Sequence, residues 1–493
     1  MVSIAVQTLG CKLNQLESEA IAASFKQEGF RLVPWGEAAD LLVVNTCTVT
    51  SKAEQKARRI IRKALKENPA ACVIVTGCYA QLDGEGIAAL EGDSGISSGR
   101  RLFVVSGDLK SALLDLPRYV TASGGNGASI VGIAGIAAAL AQWQVDGRQQ
   151  PDPFAFNMGD FSFHSRASLK IEDGCDHRCT YCRVSLARGS SVSLDAETAL
   201  GRLRYLEERG YGEAVLTGVN INQYRSGGFD LGGLLDFLLR GTERIAIRLS
   251  SLEPEGITEG FLSALENPRV RPHFHLSIQS GSREVLARMG RWYTPEDIES
   301  AIRELRRRKG DPFLACDMIT GFPGETAADF EETCALCERA GFAWIHAFPY
   351  SPRPGTAAFT FTGRVSEGEA VSRVDTLLAL AQQGRAAYIR RWLGKTVEAL
   401  DLRSTASGGE VGTGVGPDGK AFSGIGAVPG TVKYTAAVSE NYLKLLIPWP
   451  VGPPTQGPIS GGEPLKAGQV FRCRIRALAE TNSRFDAIGD KVT

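Results

Sequence analysis

The sequence lacks net charge, a long hydrophobic run and a charged N-terminal region. Its 55 basic and 55 acidic residues cancel, so any nucleic-acid binding must depend on local patches rather than on an overall field. A membrane-spanning helix needs about 18 or more consecutive apolar residues. The longest candidate, residues 128–141, is shorter and rich in small side chains. The opening residues read as a strand rather than a signal peptide, so we expect no contact with a membrane.

What is present is typical of a multidomain globular protein. A chain of 493 residues is long enough for about three domains. Its 43% hydrophobic and 22% charged residues are ordinary proportions for such proteins. Eleven cysteines without a secretory signal indicate reduced thiols and metal sites, which predicts a cytoplasmic location.

Residues 1–120 alternate strand and helix patterns. The apolar runs "VSIAVQTLG", "LLVVNTC" and "CVIVTGC" are separated by two helical patterns. Such alternation implies right-handed crossovers and a parallel sheet. Residues 121–164 are rich in Gly, Ala, Gln and Pro, and we expect a linker or ordered insertion with one apolar helix or strand.

Residues 165–390 repeat the alternation with six apolar runs, from "ASLKIEDG" to "AWIHAFPYS". This number predicts a full or partial (β/α) barrel with functional loops at the carboxyl ends of its strands. From residue 391 to 493 the runs are short and separated by glycine, which predicts a small five-stranded β-barrel. Residues 412–419 superficially resemble a dinucleotide loop, but no helix follows them, and we expect a hairpin turn.

Three cysteines of the first region, Cys11, Cys47 and Cys78, each come directly after a predicted strand. Parallel strands end at a shared edge of their sheet, where ligands bind, so we expect these cysteines to meet in space. The alternative is three unrelated buried cysteines. Cys72 opens its strand instead and is expected in the core.

The second region crowds Cys175, Cys179 and Cys182 into one loop, "GCDHRCTYC", after its first strand. This spacing favours a cubane iron–sulfur cluster, in which three thiolates leave the fourth iron open to a small molecule. A zinc site that uses His177 as a fourth ligand is the alternative. Cys334 and Cys337 fall within a helical pattern, and we expect a structural role rather than a redox pair.

The loop "GCDHRCTYC" resembles the radical S-adenosylmethionine (SAM) enzymes. The upstream segments "GCKLNQLES", "VNTCTVTSKAEQKARR" and "TGCYAQL" narrow the resemblance to the methylthiotransferases. The first and last of these, with "FPYSPRPGT", resemble the branch that acts on threonylcarbamoyladenosine of tRNA. The isopentenyladenosine branch and the branch that modifies an aspartate of ribosomal protein S12 are enzymatic alternatives, and a non-catalytic iron–sulfur or zinc RNA-binding protein is a third.

The resemblance implies two [4Fe–4S] clusters. Cys175, Cys179 and Cys182 match the ligands of the cluster that binds SAM. Cys11, Cys47 and Cys78 match the ligands of an auxiliary cluster that carries the sulfur. The positions that match the SAM pocket share the carboxyl ends of barrel strands; they are Thr217, Gly218, Ser251, Glu253, Gln279, Ser280, Gly321 and Gly324.

The implied reaction adds a methylthio group to C2 of N6-threonylcarbamoyladenosine at position 37 of tRNA. SAM would be cleaved to a radical that attacks the C–H bond, and a second SAM would supply the methyl group. An electron donor protein and a sulfur source are implied partners. The C-terminal segment 434–448 resembles a TRAM domain, an RNA-binding β-barrel, and the basic runs 56–63 and 303–309 are candidate phosphate contacts. We expect a monomer.

Overall fold

The computed structural model describes residues 2–94, 101–122, 133–146, 152–156, 166–402, 432–450, 470–478 and 485–492. The predicted turn at 412–419 and the predicted strand "EVGTGVG" lie outside these residues. Of the predicted insertion 121–164, the structure describes a helix over 133–146, whose Ile136 and Leu140 are buried against the N-terminal sheet. None of the described helices is both long enough and apolar enough to cross a bilayer.

The N-terminal part is a parallel sheet covered by helices, as predicted. Its strands are β1 (Ser3–Thr8), β2 (Arg31–Leu32), β3 (Leu41–Thr46), β4 (Cys72–Gly77) and β5 (Leu102–Val104), in the order β2-β1-β3-β4-β5. Its helices are α1 (Lys12–Gln27), α2 (Ser51–Glu67), α3 (Cys78–Leu82), α4 (Gly84–Ala88), α5 (Leu116–Ala122) and α6 (Ile133–Asp146). Every residue of β3 and β4 is buried, because apolar clusters cover both faces of the sheet.

The six predicted strands of the central part are all present. They lie in two parallel sheets, β10-β9-β6 and β11-β12-β13-β14. The strands are β6 (Ala167–Lys170), β9 (Glu213–Thr217), β10 (Ala246–Leu249), β11 (Ser251–Leu252), β12 (His273–Gln279), β13 (Phe313–Thr320) and β14 (Trp344–Pro349), with a small antiparallel pair, β7 (Glu172–Asp173) and β8 (Val192–Ser193). Since β11 follows β10 after one residue, the sheets form one path, and no described pairing joins β6 to β14. The barrel is therefore partial.

Helices connect these strands and cover the outside of the partial barrel. They are α7 (Val184–Arg188), α8 (Ala196–Glu208), α9 (Leu231–Arg240), α10 (Glu259–Leu265), α11 (Arg283–Met289), α12 (Pro295–Lys309), α13 (Ala327–Ala340) and α14 (Glu367–Trp392). Asp195, Thr294 and Thr326 begin three of them with side-chain caps, which satisfy backbone N–H groups at the helix start. Cys337 is buried in α13 and Cys334 is half-buried beside it, in agreement with a structural role.

The C-terminal part is a closed five-stranded barrel, as predicted. Its strands are β15 (Thr396–Asp401), β16 (Val432–Ser439), β17 (Lys444–Pro450), β18 (Val470–Leu478) and β19 (Ala487–Lys491), in the order β15-β16-β17-β19-β18. The sequence pattern did not predict β19, because "AIGDK" lacks a regular apolar alternation. A Cβ at Gly489 would lie 2.3 Å from Cys473 Sγ, so the absence of a side chain permits this strand to pack against β18.

Candidate metal centres

The first three cysteines occupy one edge of the N-terminal sheet. Cys11 caps α1 after β1, Cys47 follows β3, and Cys78 begins α3 after β4. These three strands are neighbours in the sheet, so their carboxyl ends meet. Burial, together with the adjacent Cys11 and Cys78, raises the pKa of the Cys47 thiol to about 12. The three sulfur atoms therefore share one electrostatic environment. Cys72 lies at the other end of β4 and is fully buried.

Glycines that precede two of these cysteines allow the close approach. Gly10 and Gly77 have φ values of +104° and +101°, which side chains rarely adopt. A Cβ on Gly10 would lie 2.7 Å from Cys47 Sγ, and one on Gly77 would lie 2.3 Å from the Thr46 carbonyl oxygen. The segments "TLGC" and "VTGC" thus combine a thiol with the only residue type that fits the turn before it.

Buried amides and hydroxyls hold the three cysteine loops together. The Asn14 side-chain amide donates to the carbonyls of Leu9 and Thr46, at 2.7 and 3.0 Å. The Thr46 hydroxyl donates to the Thr76 carbonyl at 2.6 Å. These bonds connect the segments that carry Cys11, Cys47 and Cys78. Since each is buried, loss of one partner would leave an unsatisfied polar group in the core.

The second trio lies in the loop after β7. The backbone N–H of Cys175 donates to the Gly189 carbonyl at 3.1 Å, and that of Thr180 donates to Met289 at 2.9 Å. Burial, together with the charges of neighbouring cysteines, raises the pKa of Cys175 and of Cys179 to about 11. The loop is therefore anchored to α11 and holds its thiols near one another.

The donor sets favour iron–sulfur clusters over zinc. Each trio offers three cysteine thiols, the ligand type that holds iron–sulfur clusters. A structural zinc site needs four protein ligands. His177 does not complete a cysteine site, because its Nδ1 lies 2.9 Å from Glu253.

Glu253 is the predicted pocket residue that lies beside the second trio. Its carboxylate accepts from Arg291 at 2.5 Å and from the Asn220 amide at 2.9 Å. Burial opposes its ionisation, but the hydrogen bond with His177 and the charge of Arg291 hold its pKa at about 2. Its negative charge acts in turn on Cys175. A fixed carboxylate therefore stands next to the cysteine loop.

The other predicted pocket residues lie at the carboxyl ends of the barrel strands, which form one rim of the partial barrel. Thr217 ends β9 and Gly218 follows it, and Gln279, which has a φ of 72°, ends β12 and Ser280 follows it. The hydroxyl of Ser251 lies 2.8 Å from Nδ1 of His275 on the neighbouring strand β12.

Protein packing also explains the two later glycines of this set. A Cβ on Gly321 would lie 2.5 Å from the Cβ of Ala370, and one on Gly324 would meet Arg288. Their positive φ values, +69° and +83°, favour glycine independently of any ligand. The predicted residues thus lie at or just after the ends of barrel strands, and the charge of Glu253 acts on Cys175.

Arg188 connects the two cysteine regions and was not predicted from the sequence. It ends α7, and its guanidinium donates to Glu17 at 2.9 Å, to Asp173 at 3.0 Å and to Asn14 at 2.9 Å. Lys170 adds ion pairs with Glu17 and Asp173 at 3.2 and 2.6 Å. The charge of Arg188 also acts on Cys11 and Cys78. A buried ion network therefore lies between the trios.

Comparisons with known proteins place this arrangement in a family. A model described as the Radical SAM superfamily matches residues 169–337, and one described as the uncharacterized protein family UPF0004 matches residues 3–97. The threonylcarbamoyladenosine tRNA methylthiotransferase MtaB of Treponema pallidum is 41% identical over 452 residues, covering 82% of this chain and 92% of that protein. The chain belongs to the MtaB branch of the radical SAM methylthiotransferases.

Two further comparisons concern more distant proteins. The tRNA-2-methylthio-N(6)-dimethylallyladenosine synthase of Solibacter usitatus is 32% identical, over 78% of this chain and 82% of that protein. The structure of the radical SAM methyltransferase TsrM from Kitasatospora setae is 17% identical, with a TM-score of 0.46, and the match covers 73% of this chain and 77% of that one.

Membership of the MtaB branch confirms the resemblance drawn from the cysteine motifs. The protein is a radical SAM methylthiotransferase, with the predicted succession of a parallel α/β part, a partial (β/α) barrel and a small β-barrel. The family's chemistry uses a [4Fe–4S] cluster and SAM. The comparisons do not identify the residues that hold these groups or the nucleoside that the enzyme modifies.

Proposed function

We propose that this protein adds a methylthio group to C2 of N6-threonylcarbamoyladenosine at position 37 of tRNA. The observation that carries the proposal is the presence of two cysteine trios whose regions are joined by Arg188, which binds Glu17 after Cys11 and Asp173 before Cys175. One trio accounts for radical chemistry, and the other accounts for sulfur insertion. The 41% identity to an MtaB protein supports the threonylcarbamoyladenosine branch.

In this proposal Cys175, Cys179 and Cys182 hold the [4Fe–4S] cluster that binds SAM. Three cysteine ligands leave one iron of the cluster for the cofactor. The thiols have raised pKa values, so the positive charge of the metal must displace their protons on binding. The pocket for SAM is assigned to the rim residues Thr217, Gly218, Ser251, Glu253, Gln279, Ser280, Gly321 and Gly324.

Cys11, Cys47 and Cys78 are assigned to a second [4Fe–4S] cluster. Cys11 is exposed, so its thiol is accessible to iron. The charge of Arg188 acts against burial on the pKa of Cys11 and so favours the thiolate form that binds iron. When bound, the two clusters and SAM supply the electron, the radical and the sulfur that side chains cannot provide.

We assign residues 1–120 to the auxiliary-cluster domain and residues 165–390 to the radical SAM domain, with 121–164 between them. Residues 391–493 are assigned to a TRAM-like domain that binds the RNA. The exposed face of α2 carries Lys52, Lys56, Arg59, Lys63 and Lys66, and it begins just after Cys47. Position 37 lies in a single-stranded loop, whose bases can be splayed out into a site.

Basic residues of the run 303–309 are a weaker candidate for RNA contact than α2. Arg307 pairs with Glu304, Arg308 pairs with Glu259 and Glu266, and Lys309 donates to the Asn267 carbonyl. These pairs neutralise charge that a phosphate would otherwise meet.

We further propose that a cytoplasmic electron donor protein reduces the SAM cluster and that a separate sulfur source restores the auxiliary cluster.

Two measurements test the proposal. Anaerobically purified protein should contain about eight irons and about eight sulfides per chain, the content of two [4Fe–4S] clusters. Mass spectrometry of tRNA nucleosides from a strain that lacks the gene should show threonylcarbamoyladenosine without its methylthio group. If that nucleoside keeps the group while 2-methylthio-dimethylallyladenosine disappears, the dimethylallyladenosine branch is the correct one, a candidate that the 32% identity to such a synthase supports.

A further inference from the structure

The hairpin turn between β16 and β17 of the C-terminal barrel is buried. It comprises residues 440–443 and follows Ser439, the last residue of β16. Ser439, Asn441 and Leu443 are all fully buried. Turns usually lie on the protein surface, where water satisfies their backbone groups. A buried turn must instead find its hydrogen-bond partners within the protein.

Two of these partners belong to the central part of the chain. The Arg248 guanidinium, on β10, donates to the Ser439 carbonyl at 3.3 Å. The Asn441 side-chain amide donates to the Tyr388 hydroxyl, on α14, at 3.2 Å. The turn is therefore held by a strand and a helix that belong to the partial barrel.

The ring of Tyr442, in this turn, lies among four strands at the amino end of the partial barrel. Its centroid is 4.0 Å from that of His273 and 5.8 Å from that of Phe313, the first residues of β12 and β13. The guanidinium groups of Arg248 on β10 and of Arg166 just before β6 lie over the ring, 5.2 and 5.4 Å from its centroid. Since β6 and β10 belong to one sheet and β12 and β13 to the other, the ring contacts both sheets.

The backbone of Tyr442 adopts a conformation that does not suit a tyrosine. Its φ is 66°, in the left-handed region that glycine and asparagine adopt at lower cost. Strained conformations persist where the surrounding structure requires them. The contacts of the aromatic ring therefore offset the strain of the turn that carries it.

Further contacts join the two barrels around this turn. The Arg271 guanidinium lies 2.7 Å from the carboxylate of Glu398 on β15. One apolar cluster contains buried residues of both barrels, among them Phe313 and Leu443. These contacts lie at the amino end of the partial barrel, whereas the loop of Cys175 follows the carboxyl end of β6. The C-terminal barrel is thus packed against the end opposite that cysteine loop.

We propose that Tyr442 is a positioning residue, which holds the C-terminal barrel and the RNA bound to it in one orientation relative to the reaction site. This inference rests on the proposed function, in which the C-terminal barrel binds tRNA. The base at position 37 must reach the cysteine loops while the rest of the anticodon arm is held elsewhere. A rotation of the C-terminal barrel would displace that base, and a displacement of about 1 Å can cost about a hundredfold in rate.

The test compares two variants of the full-length, cluster-loaded enzyme under anaerobic conditions. Tyr442→Asn removes the ring but suits a φ of 66°, whereas Tyr442→Phe keeps both the ring and the strain. The substrate is an anticodon stem-loop RNA that carries threonylcarbamoyladenosine at position 37. The kcat for methylthio transfer should fall about tenfold or more in Tyr442→Asn, with a smaller change in the KM for RNA, because the RNA-binding surfaces remain. Tyr442→Phe should stay close to the wild type.

Three controls separate positioning from a general structural role. Iron content and RNA-independent cleavage of SAM should be unchanged in Tyr442→Asn, since both depend on groups at the other end of the barrel. The ratio of 5′-deoxyadenosine to methylthio product should rise in this variant, because a displaced base receives fewer radicals. Tyr205→Asn removes an exposed ring on the outside of α8 and should match the wild type.

A Tyr442→Asn enzyme with the kcat and product ratio of the wild type would overturn the inference. Loss of iron or of SAM cleavage in this variant would also overturn it, because the role of Tyr442 would then be structural. So would a Tyr442→Phe enzyme that fails as badly, since the ring would not be the group that acts. A wild type that does not methylthiolate this RNA would overturn the proposed function and, with it, the inference.

Discussion

The guanidinium of Arg188 donates to the carboxylate of Glu17 at 2.9 Å, and both side chains are buried. Glu17 lies in the helix that begins after Cys11, and Arg188 ends the helix that follows Cys182. One ion pair therefore sets the position of one cysteine region relative to the other.

Replacement of Arg188 by methionine is expected to destabilise this junction. Methionine keeps a long side chain but leaves Glu17 and Asp173 with less compensation, and loss of one partner of a buried pair costs about 3 kcal/mol or more. The midpoint of thermal unfolding should fall clearly. Arg118→Met is the control, because Arg118 pairs with Glu28 on the surface, and it should leave the midpoint unchanged. Equal behaviour of the two variants would show that the network is dispensable.

Each cysteine trio should account for half of the iron. Cys11→Ala and Cys175→Ala should each reduce iron from about eight to about four atoms per chain, because each removes a ligand of one cluster. Cys72→Ala, a buried cysteine outside both trios, should retain all of it. Iron and sulfide analysis after anaerobic purification measures the result. Full iron content in the Cys11 variant would contradict the assignment of the auxiliary cluster.

Gly77→Ala should impair the auxiliary cluster without touching a ligand. The added Cβ would lie 2.3 Å from the Thr46 carbonyl oxygen, and the backbone has a φ of +101°, so the turn before Cys78 must distort. We expect loss of about four irons and a lower unfolding midpoint. In Gly92→Ala no atom of the described residues lies within 4 Å of the new Cβ. Gly92→Ala should match the wild type in iron content and in unfolding midpoint. A Gly77→Ala enzyme with wild-type values of both would contradict the steric argument.

The exposed face of α2 should contribute to tRNA affinity. Lys56 and Arg59 are exposed and make no hydrogen bond or ion pair within the described residues. Their joint replacement by glutamine should weaken binding and reduce the slope of log K against log salt by roughly one to two, as loss of two phosphate contacts predicts. Arg303 and Arg307 on α12 provide the control pair. An unchanged slope for the α2 variant would place the RNA elsewhere.

Glu172 should make stability depend on pH. Burial raises its folded-state pKa to about 8, against 4.5 for the free side chain. Between these values the folded protein holds a proton that the unfolded chain has lost, so stability falls as pH rises from about 4.5 to about 8. The thermal midpoint of Glu172→Gln should vary less over this interval than that of the wild type. Parallel curves for the two proteins would mean that Glu172 is ionised in the fold.

Local patterns in the sequence predicted most of the fold and the two sets of cysteines. The apolar run "LLVVNT" forms the central strand β3, because two covered faces of a parallel sheet require continuous apolar side chains. The position of Cys11, Cys47 and Cys78 after such runs was enough to predict their meeting. The short strand 487–491 was not predicted, because its pairing depends on the close approach of β18 to Gly489.

The sequence by itself determined the element order, the two cysteine sets and the family, because these depend on spacing along the chain. Only the tertiary structure decided which charges meet. Glu17 and Arg188 are far apart in sequence, and nothing local indicates that they pair. Likewise, the ring of Tyr442 in the C-terminal barrel packs on His273 of β12 at a centroid distance of 4.0 Å, and nothing local to either residue predicts this contact. Long-range electrostatics depends on distance and burial, which no local pattern records.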